Sequence, residues 1–139
     1  MNTPLDSFSD AQAVARYAED PPRKVPGFAD LQRMTTLLLE EHASEDARIL
    51  VLGAGGSLEL KTFAEAHPGW NFDGVDPSGE MLKLAERTLG PLLARVDLQE
   101  GYIEAAPEGP FDGATCLLTL HFLTDDERLT TVAEVRRRL

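Results

Sequence analysis

The chain has 139 residues, of which 42% are hydrophobic, and its 24 acidic and 13 basic residues give a formal net charge of −11. That size suits one domain with a hydrophobic core, and no apolar run approaches the roughly 20 residues of a membrane-spanning helix. The negative charge repels phosphate backbones, so nucleic-acid binding by this segment is not expected. The single cysteine, Cys116, fits a buried residue in a reducing compartment, which predicts a cytoplasmic location.

The N-terminal region, residues 1–46, is predicted to be helical and to act as a lid over a site or to pack against the main domain. Ser9 or Asp10 is suited to cap a short helix that runs to about residue 19. Prolines and a glycine between residues 21 and 27 are expected to prevent regular structure. A second helix is predicted over residues 28–42, because apolar residues recur there at helical spacing. Packing alone is the simpler of the two roles.

From residue 47 to residue 139, apolar strand-like runs alternate with helical patterns. The predicted strands are residues 48–52, 70–76, 92–98 with 102–103, and 111–120, and the predicted helices are residues 57–67, 78–89 and 125–139. The first strand is continuously apolar, as expected in a parallel sheet that is covered on both faces. Alternating strands and helices predict an α/β, doubly wound fold with right-handed crossovers.

A glycine-rich turn, GAGGS at residues 53–57, joins the first strand to the helix that follows. Its glycines permit a tight turn and let a ligand approach the backbone, and the start of the helix offers free N–H groups. Asp76 ends the next strand about 20 residues after Gly55, which is where nucleotide-binding units place the acidic residue that binds ribose hydroxyls. Together these features predict a site for a nucleoside cofactor.

The turn also restricts which nucleoside cofactor fits. A dinucleotide fingerprint requires Gly-x-Gly-x-x-Gly, and Leu58 occupies the position of the third glycine. An NAD-dependent oxidoreductase is therefore the less favoured enzyme. A P-loop is excluded because no Gly-Lys-Ser/Thr follows. A cofactor with adenosine and an amino-acid tail, but no pyrophosphate, suits the turn better.

Three segments together resemble the class I S-adenosylmethionine-dependent methyltransferases, which have a Rossmann-like fold. They are residues 49–57 (ILVLGAGGS), residues 74–82 (GVDPSGEML) and residues 111–123, where FDGAT runs into LHFL. The resemblance implies S-adenosyl-L-methionine as the cofactor, with Asp76 on the ribose hydroxyls. It also implies cofactor contacts by Gly53, Ala54, Gly55, Pro77, Met81, Gly101, Tyr102, Ile103, Leu118 and Thr119.

The sequence departs from the pattern of these methyltransferases at three positions. The family usually has an acidic residue two positions before the first glycine, where this chain has Val51, and a third glycine where it has Ser57. Tyr102 replaces the common acidic partner of the adenine. These changes concern the contacts to the cofactor amine and to the adenine amino group. They leave a non-catalytic cofactor-binding module as an alternative to an enzyme.

Residues 25–28 (VPGF), followed by Met34 and the leucines at 37–39, resemble the entry region of the tRNA wobble-uridine carboxymethyl-transferring enzymes. Those enzymes use a carboxylated S-adenosylmethionine, and the resemblance makes Arg33 or the region of Tyr17 a candidate for closing over the cofactor, although a solvated helix residue is the favoured interpretation of Arg33. His121 is a candidate pocket residue, because it follows the fourth strand, where a doubly wound sheet places its ligand crevice. No metal site is predicted, since Cys and His do not occur at ligand spacing.

The predicted function is methyl transfer from S-adenosylmethionine to a small molecule or, with less support, to tRNA. The sulfonium is already activated, and the enzyme mainly aligns the acceptor, so no catalytic residue is named. Methyltransferases of this class continue with a fifth strand and an antiparallel pair, so we expect these 139 residues to be an incomplete, cofactor-binding portion. The fourth strand is then an apolar sheet edge that favours pairing with another copy of the chain.

Overall fold

The computed structural model describes Phe8, residues 10–16 and residues 20–139. Four parallel strands form one sheet in the order β3-β2-β1-β4. The strands are β1 (Arg48–Leu52), β2 (Asn71–Asp76), β3 (Val96–Glu100) and β4 (Gly113–Cys116). The helices are α1 (Ala11–Ala15), α2 (Asp20–Lys24), α3 (Phe28–Glu40), α4 (Leu58–Ala66), α5 (Gly79–Leu89) and α6 (Asp125–Arg138). No helix in the described ranges is long and apolar enough to cross a membrane.

Strand β1 is buried on both faces of the sheet. Its alternate residues Ile49 and Val51 pack with α4 and α5 residues such as Phe63 and Leu89. Leu50 and Leu52 belong to a second cluster on the other face, which includes Val135 of α6. Helices therefore cover both faces of a parallel sheet, and the predicted doubly wound α/β fold is confirmed. Trp70 and Phe72, at the start of β2, are both nearly inaccessible to solvent.

Two predicted strands have different bounds in the structure. The fourth strand ends at Cys116 instead of residue 120, because Leu118 takes a left-handed conformation with φ of 54° that a strand cannot accommodate. A 3₁₀ turn over Leu120–Phe122 follows. Residues 92–95 belong to the 3₁₀ helix Gly90–Arg95, so β3 starts only at Val96. Ile103–Ala105 is a further 3₁₀ turn, not a strand extension.

The N-terminal region contains more helix than its prolines suggest. Helix α2 (Asp20–Lys24) includes Pro21 and Pro22, so the prediction of irregular structure there was wrong. Both prolines lie in the first turn, where a helix has no use for their missing N–H groups. Helix α1 is capped by Asp10, whose carboxylate accepts a hydrogen bond from Gln12 N. Its predicted continuation over residues 17–19 and the alternative cap Ser9 lie outside the described residues.

Arg95 connects the end of α4 to the start of β2. Its guanidinium donates hydrogen bonds to the carbonyl oxygens of Ala64 (2.7 Å), His67 (3.0 Å) and Trp70 (2.7 Å). The last carbonyls of a helix have no partner within the helix, so a side-chain donor stabilises that end. The sequence gives no signal for this role, because an arginine before a strand resembles any surface residue.

We predict that Arg95→Lys lowers the free energy of unfolding by about 1.5–3 kcal/mol, since an ammonium cannot reach three carbonyls with the planar geometry of a guanidinium. Urea unfolding followed by circular dichroism measures the change. Arg87→Lys, at an exposed position of α5, is the matched control and is expected to leave the midpoint unchanged. Equal midpoints for the two variants would contradict the assigned role.

Candidate functional site

A cavity of about 670 Å³ lies at the carboxyl ends of the strands. Its wall includes Leu52 at the end of β1 and Gly53 directly after it. Asp76 at the end of β2, Gly101 after β3 and Cys116 of β4 also line it. This edge is where a doubly wound sheet binds its ligands. The N-terminal region completes the wall with Phe8, Ala13, Lys24, Phe28, Leu31 and other residues. That region therefore contributes part of the cavity wall, and whether it acts as a lid stays a prediction.

The Asp76 carboxylate is held in place by backbone N–H groups. Its Oδ2 accepts a hydrogen bond from Gly55 N, and its Oδ1 accepts one from Ser78 N, each at 2.9 Å. Burial raises the pKa of Asp76 above its ordinary value, and the two N–H groups oppose that rise. An ionised carboxylate has about four acceptor positions. Two therefore remain free for hydroxyl groups of a ligand in the cavity.

The glycines of the turn make room for the protein's own side chains. A Cβ on Gly55 would lie 2.6 Å from Asp76 Oδ2 and 2.7 Å from Met81 Cβ. A Cβ on Gly53 would lie 2.1 Å from Thr119 Oγ1, and Gly53 also has a φ of 72°. Any side chain at position 55 would thus displace the carboxylate. The sequence argument that these glycines admit a ligand is incomplete, because their first effect is to admit Asp76.

Ser57 occupies the position where the class I methyltransferases that the sequence resembles have a third glycine. It is fully buried and has φ of 56° and ψ of 33°, a left-handed conformation that glycine adopts without strain. Its Oγ donates a hydrogen bond of 2.7 Å to Ala54 O. The serine therefore preserves the glycine backbone conformation, and the turn keeps its shape despite the substitution.

The structure brings most of the predicted site residues together around the cavity. Those that line it are Gly53, Gly55, Asp76, Pro77, Met81, Gly101, Tyr102, Ile103, Leu118, Thr119 and His121. Their contacts to a cofactor stay a prediction. Leu118 lines the wall in its left-handed conformation, which is uncommon for a non-glycine residue and is typical of functional sites.

Two predicted residues lie elsewhere. Ala54 is completely buried and belongs to the core cluster under the sheet face covered by α4 and α5, so its side chain points away from the cavity. The Arg33 side chain is 75% exposed and pairs with Asp30 at 3.2 Å. The cavity-facing residues of α3 are Phe28, Leu31 and Gln32. Arg33 follows them on a solvent-facing part of the helix, as its favoured interpretation predicts, and it is not among the lining residues; Tyr17 lies outside the described residues.

Among the lining residues that the sequence analysis missed are two polar ones, Glu59 of α4 and Gln32 of α3. Burial raises the pKa of Glu59 to about 7, the Glu59 backbone N–H opposes the rise, and repulsion by Asp76 adds to it. An acidic residue in the first turn of a helix normally complements the helix dipole at the surface. The sequence therefore offered no reason to place Glu59 in the cavity wall.

Cys116 and His121 complete the polar groups beside β4. Cys116 is only partly buried, and burial raises the pKa of its thiol to about 11, so it is protonated at neutral pH and is a poor nucleophile. The His121 ring packs against Phe122 with ring centroids 4.1 Å apart. Within the described ranges, no group of three or more metal-ligating side chains occurs.

Residues 49–139 match the family described as "Methyltransferase domain". A carboxy-S-adenosyl-L-methionine synthase from Chromohalobacter salexigens is 31% identical over an alignment of 140 positions, gaps included, which covers 95% of this chain and 52% of that protein. The chain spans about half the length of the curated relatives it matches. The resemblance to the tRNA-modifying enzymes gains no support from this relative, which is named for the synthesis of the carboxylated cofactor.

Solved structures share the fold. An amino pentose methyltransferase from Micromonospora echinaspora, with S-adenosylmethionine bound, has a TM-score of 0.73 and 26% identity over 90% of this chain and 51% of that chain. An S-adenosylmethionine-dependent methyltransferase from Thiobacillus denitrificans, in complex with S-adenosyl-L-homocysteine, has a TM-score of 0.64 and 23% identity over 83% of this chain and 44% of that chain. The chain therefore belongs to the methyltransferase domain family and has the Rossmann-like fold of the class I S-adenosylmethionine-dependent methyltransferases.

Proposed function

We propose that the cavity binds S-adenosyl-L-methionine and that the chain is the cofactor-binding portion of an enzyme that methylates a small molecule. The observation that carries the proposal is the Asp76 carboxylate, which two backbone N–H groups fix at the cavity wall. Its free acceptor positions suit the two ribose hydroxyls of the cofactor. Membership of the methyltransferase domain family supports the same cofactor.

The two sides of the cavity suit the adenine ring. Pro77 and Met81 follow β2 on one side, and Tyr102 and Ile103 follow β3 on the other, and all four line the cavity. Gly101 N donates a hydrogen bond to Asp76 O, which holds the two loops together. An aromatic ring bound between apolar side chains gains from burial of its faces. In this arrangement the amino-acid tail of the cofactor extends from Asp76 across the glycine turn.

The charges of the wall favour this cofactor over a dinucleotide. Among the described lining residues, the carboxylates are Asp20, Glu59 and Asp76, and the only lysine is Lys24. Lys24 is already paired with Asp20 at 3.6 Å. S-adenosylmethionine carries a positive sulfonium, whereas NAD carries a negative pyrophosphate that Glu59 and Asp76, which are outside this ion pair, would repel. An NAD-dependent oxidoreductase is not favoured.

Methyl transfer requires little acid or base chemistry from the protein. When bound, the cofactor supplies a methyl group that its sulfonium has already activated. The chain's own contribution is to hold the ribose and adenine and to exclude water with the N-terminal helices over the cavity. The formal net charge of −11 supports a small-molecule acceptor over tRNA.

The curated relative from Chromohalobacter salexigens supports a second candidate, synthesis of the carboxylated cofactor. The wall charges favour plain methyl transfer, because Lys24 and Asp20 neutralise each other and an added carboxylate would meet the acidic residues Glu59 and Asp76. Mass spectrometry of the products formed from S-adenosylmethionine, with candidate methyl acceptors in one reaction and candidate carboxyl donors in another, separates the two. Methyl transfer yields S-adenosylhomocysteine, and the synthase reaction yields a cofactor that has gained a carboxyl group.

We predict that isothermal titration calorimetry detects binding of S-adenosylmethionine and S-adenosylhomocysteine and no binding of NAD. The two sulfur compounds share the adenosine and the amino-acid tail, and neither carries a pyrophosphate. Absence of heat with both sulfur compounds would overturn the proposed function. Binding without methyl transfer to any acceptor would instead favour the non-catalytic module.

Asp76→Asn is expected to weaken S-adenosylhomocysteine binding by about 1.5–3 kcal/mol, or about 10- to 100-fold, because an amide accepts weaker hydrogen bonds from ribose hydroxyls than a carboxylate does. Calorimetry measures the affinity, and circular dichroism checks that the variant folds. Asp97→Asn, at an exposed position of β3, is the matched control with wild-type affinity. Equal affinities for both variants would remove Asp76 from the site.

A further inference from the structure

Two further polar residues, Glu59 and Gln32, line the cavity wall. Glu59 is the second residue of α4, directly after the glycine turn, and Gln32 comes from α3. The two helices are joined by a hydrogen bond of 3.0 Å from Thr62 Oγ1 to Gln32 Oε1. The two residues thus bring to the wall a carboxylate and an amide whose oxygen accepts a hydrogen bond from Thr62.

Gln32 has an unsatisfied donor. Its side chain belongs to a residue that is only 7% exposed, and its Nε2 is buried without a hydrogen-bond partner among the described residues. A buried donor that lacks a partner costs about 1–3 kcal/mol. Oε1 already accepts from Thr62, so the unsatisfied group that Gln32 offers to a ligand is the Nε2 donor. A carboxylate oxygen is a matching acceptor.

Glu59 calls for the opposite chemistry. Glu59 is a partly buried residue of the cavity wall, and its pKa is raised by burial and by repulsion from Asp76, which lines the same cavity. A cation bound beside Glu59 would stabilise its ionised carboxylate against both the cost of burial and the repulsion by Asp76. Val51 of β1 is completely buried and apolar, so the strand before the glycine turn supplies no carboxylate of its own.

We propose that Glu59 and Gln32 bind the amino-acid end of the cofactor. Glu59 accepts hydrogen bonds from its α-ammonium group, and Gln32 Nε2 donates to its α-carboxylate. A zwitterion offers one positive and one negative group on the same carbon, which matches one acceptor and one donor in the wall. The assignment rests on the proposed function, since it requires the ribose on Asp76 and the tail across the turn. Helix α4 then supplies the carboxylate that Val51 does not.

The test compares two ligands that differ only in this end of the molecule. S-adenosylhomocysteine has the amino-acid group, and 5′-methylthioadenosine keeps the adenosine and the sulfur but lacks it. We expect Glu59→Gln and Gln32→Met each to weaken S-adenosylhomocysteine binding about tenfold or more, with 5′-methylthioadenosine affinity unchanged within about twofold. Calorimetry measures both, and Glu65→Gln, exposed on α4, is the matched control.

The outcomes separate the two proposals. Variants that weaken both ligands equally, or neither, would overturn the assignment while leaving the cofactor site intact. A wild-type chain that binds neither ligand would overturn the proposed function and the assignment with it. Asp76→Asn provides the reference, because a ribose contact affects both ligands alike. Thermal melts of Glu59→Gln and Gln32→Met confirm that each variant is folded.

A pH series gives an independent readout. An acid with a pKa of about 7 is about tenfold less ionised at pH 6 than at pH 8. Binding of an ammonium requires ionised Glu59, so affinity for S-adenosylhomocysteine should rise with pH more steeply in the wild type than in Glu59→Gln. The comparison cancels the titration of the ligand amine and of the other titratable groups in the wall, Asp20, Lys24, Asp76, Tyr102, Cys116 and His121. Coincident pH profiles would contradict the assignment.

Discussion

The hydrogen bond from Gly55 N to the Asp76 carboxylate joins the turn after β1 to the end of β2, and the cavity depends on it. Parallel pairing of Leu52 with Val75 brings the two strand ends to the same edge. Gly53 N and Ala54 N both donate to Val75 O, which fixes the turn against β2. A carboxylate in this position needs a residue without a side chain opposite it. The glycine and the aspartate are therefore one structural unit, and a change in either affects the shape of the wall.

The sequence was most informative where structure is determined locally. The bounds of β1, α4, β2 and α5 differ from the predicted ones by at most one residue, because an apolar run, a glycine turn and a Ser78 cap are all local signals. The end of β4 could not be predicted in this way. Leu118 adopts a left-handed conformation that leucine disfavours, so only the surrounding tertiary structure can impose it, and no sequence pattern indicates it.

The site divides along the same line. Residues near the glycine turn and after each strand were predicted from motifs, and nearly all of them line the cavity. Gln32 was missed because α3 reaches the cavity through its packing on α4, where Thr62 contacts Gln32. Glu59 was missed because an acidic residue in the first turn of a helix is usually a surface residue. Arg33, the candidate from the sequence, is next to Gln32 but faces solvent, because the rotation of α3 about its axis depends on the packing of α3 on α4. Motifs thus locate the part of a ligand site that the sheet builds, and not the part that a covering helix contributes.

The placement of the carboxylates has a consequence for the chemistry. The sulfonium charge of S-adenosylmethionine disappears as the methyl group leaves, so a carboxylate directly at the sulfur would stabilise the bound cofactor more than the transition state. Asp76 at the ribose and Glu59 at the amine would hold the cofactor by groups whose charge does not change during transfer. The apolar side chains of the wall, such as Leu118 and Phe122, are then suited to the region around the sulfur. Binding strength and reactivity can in this way be supplied by different parts of one cavity.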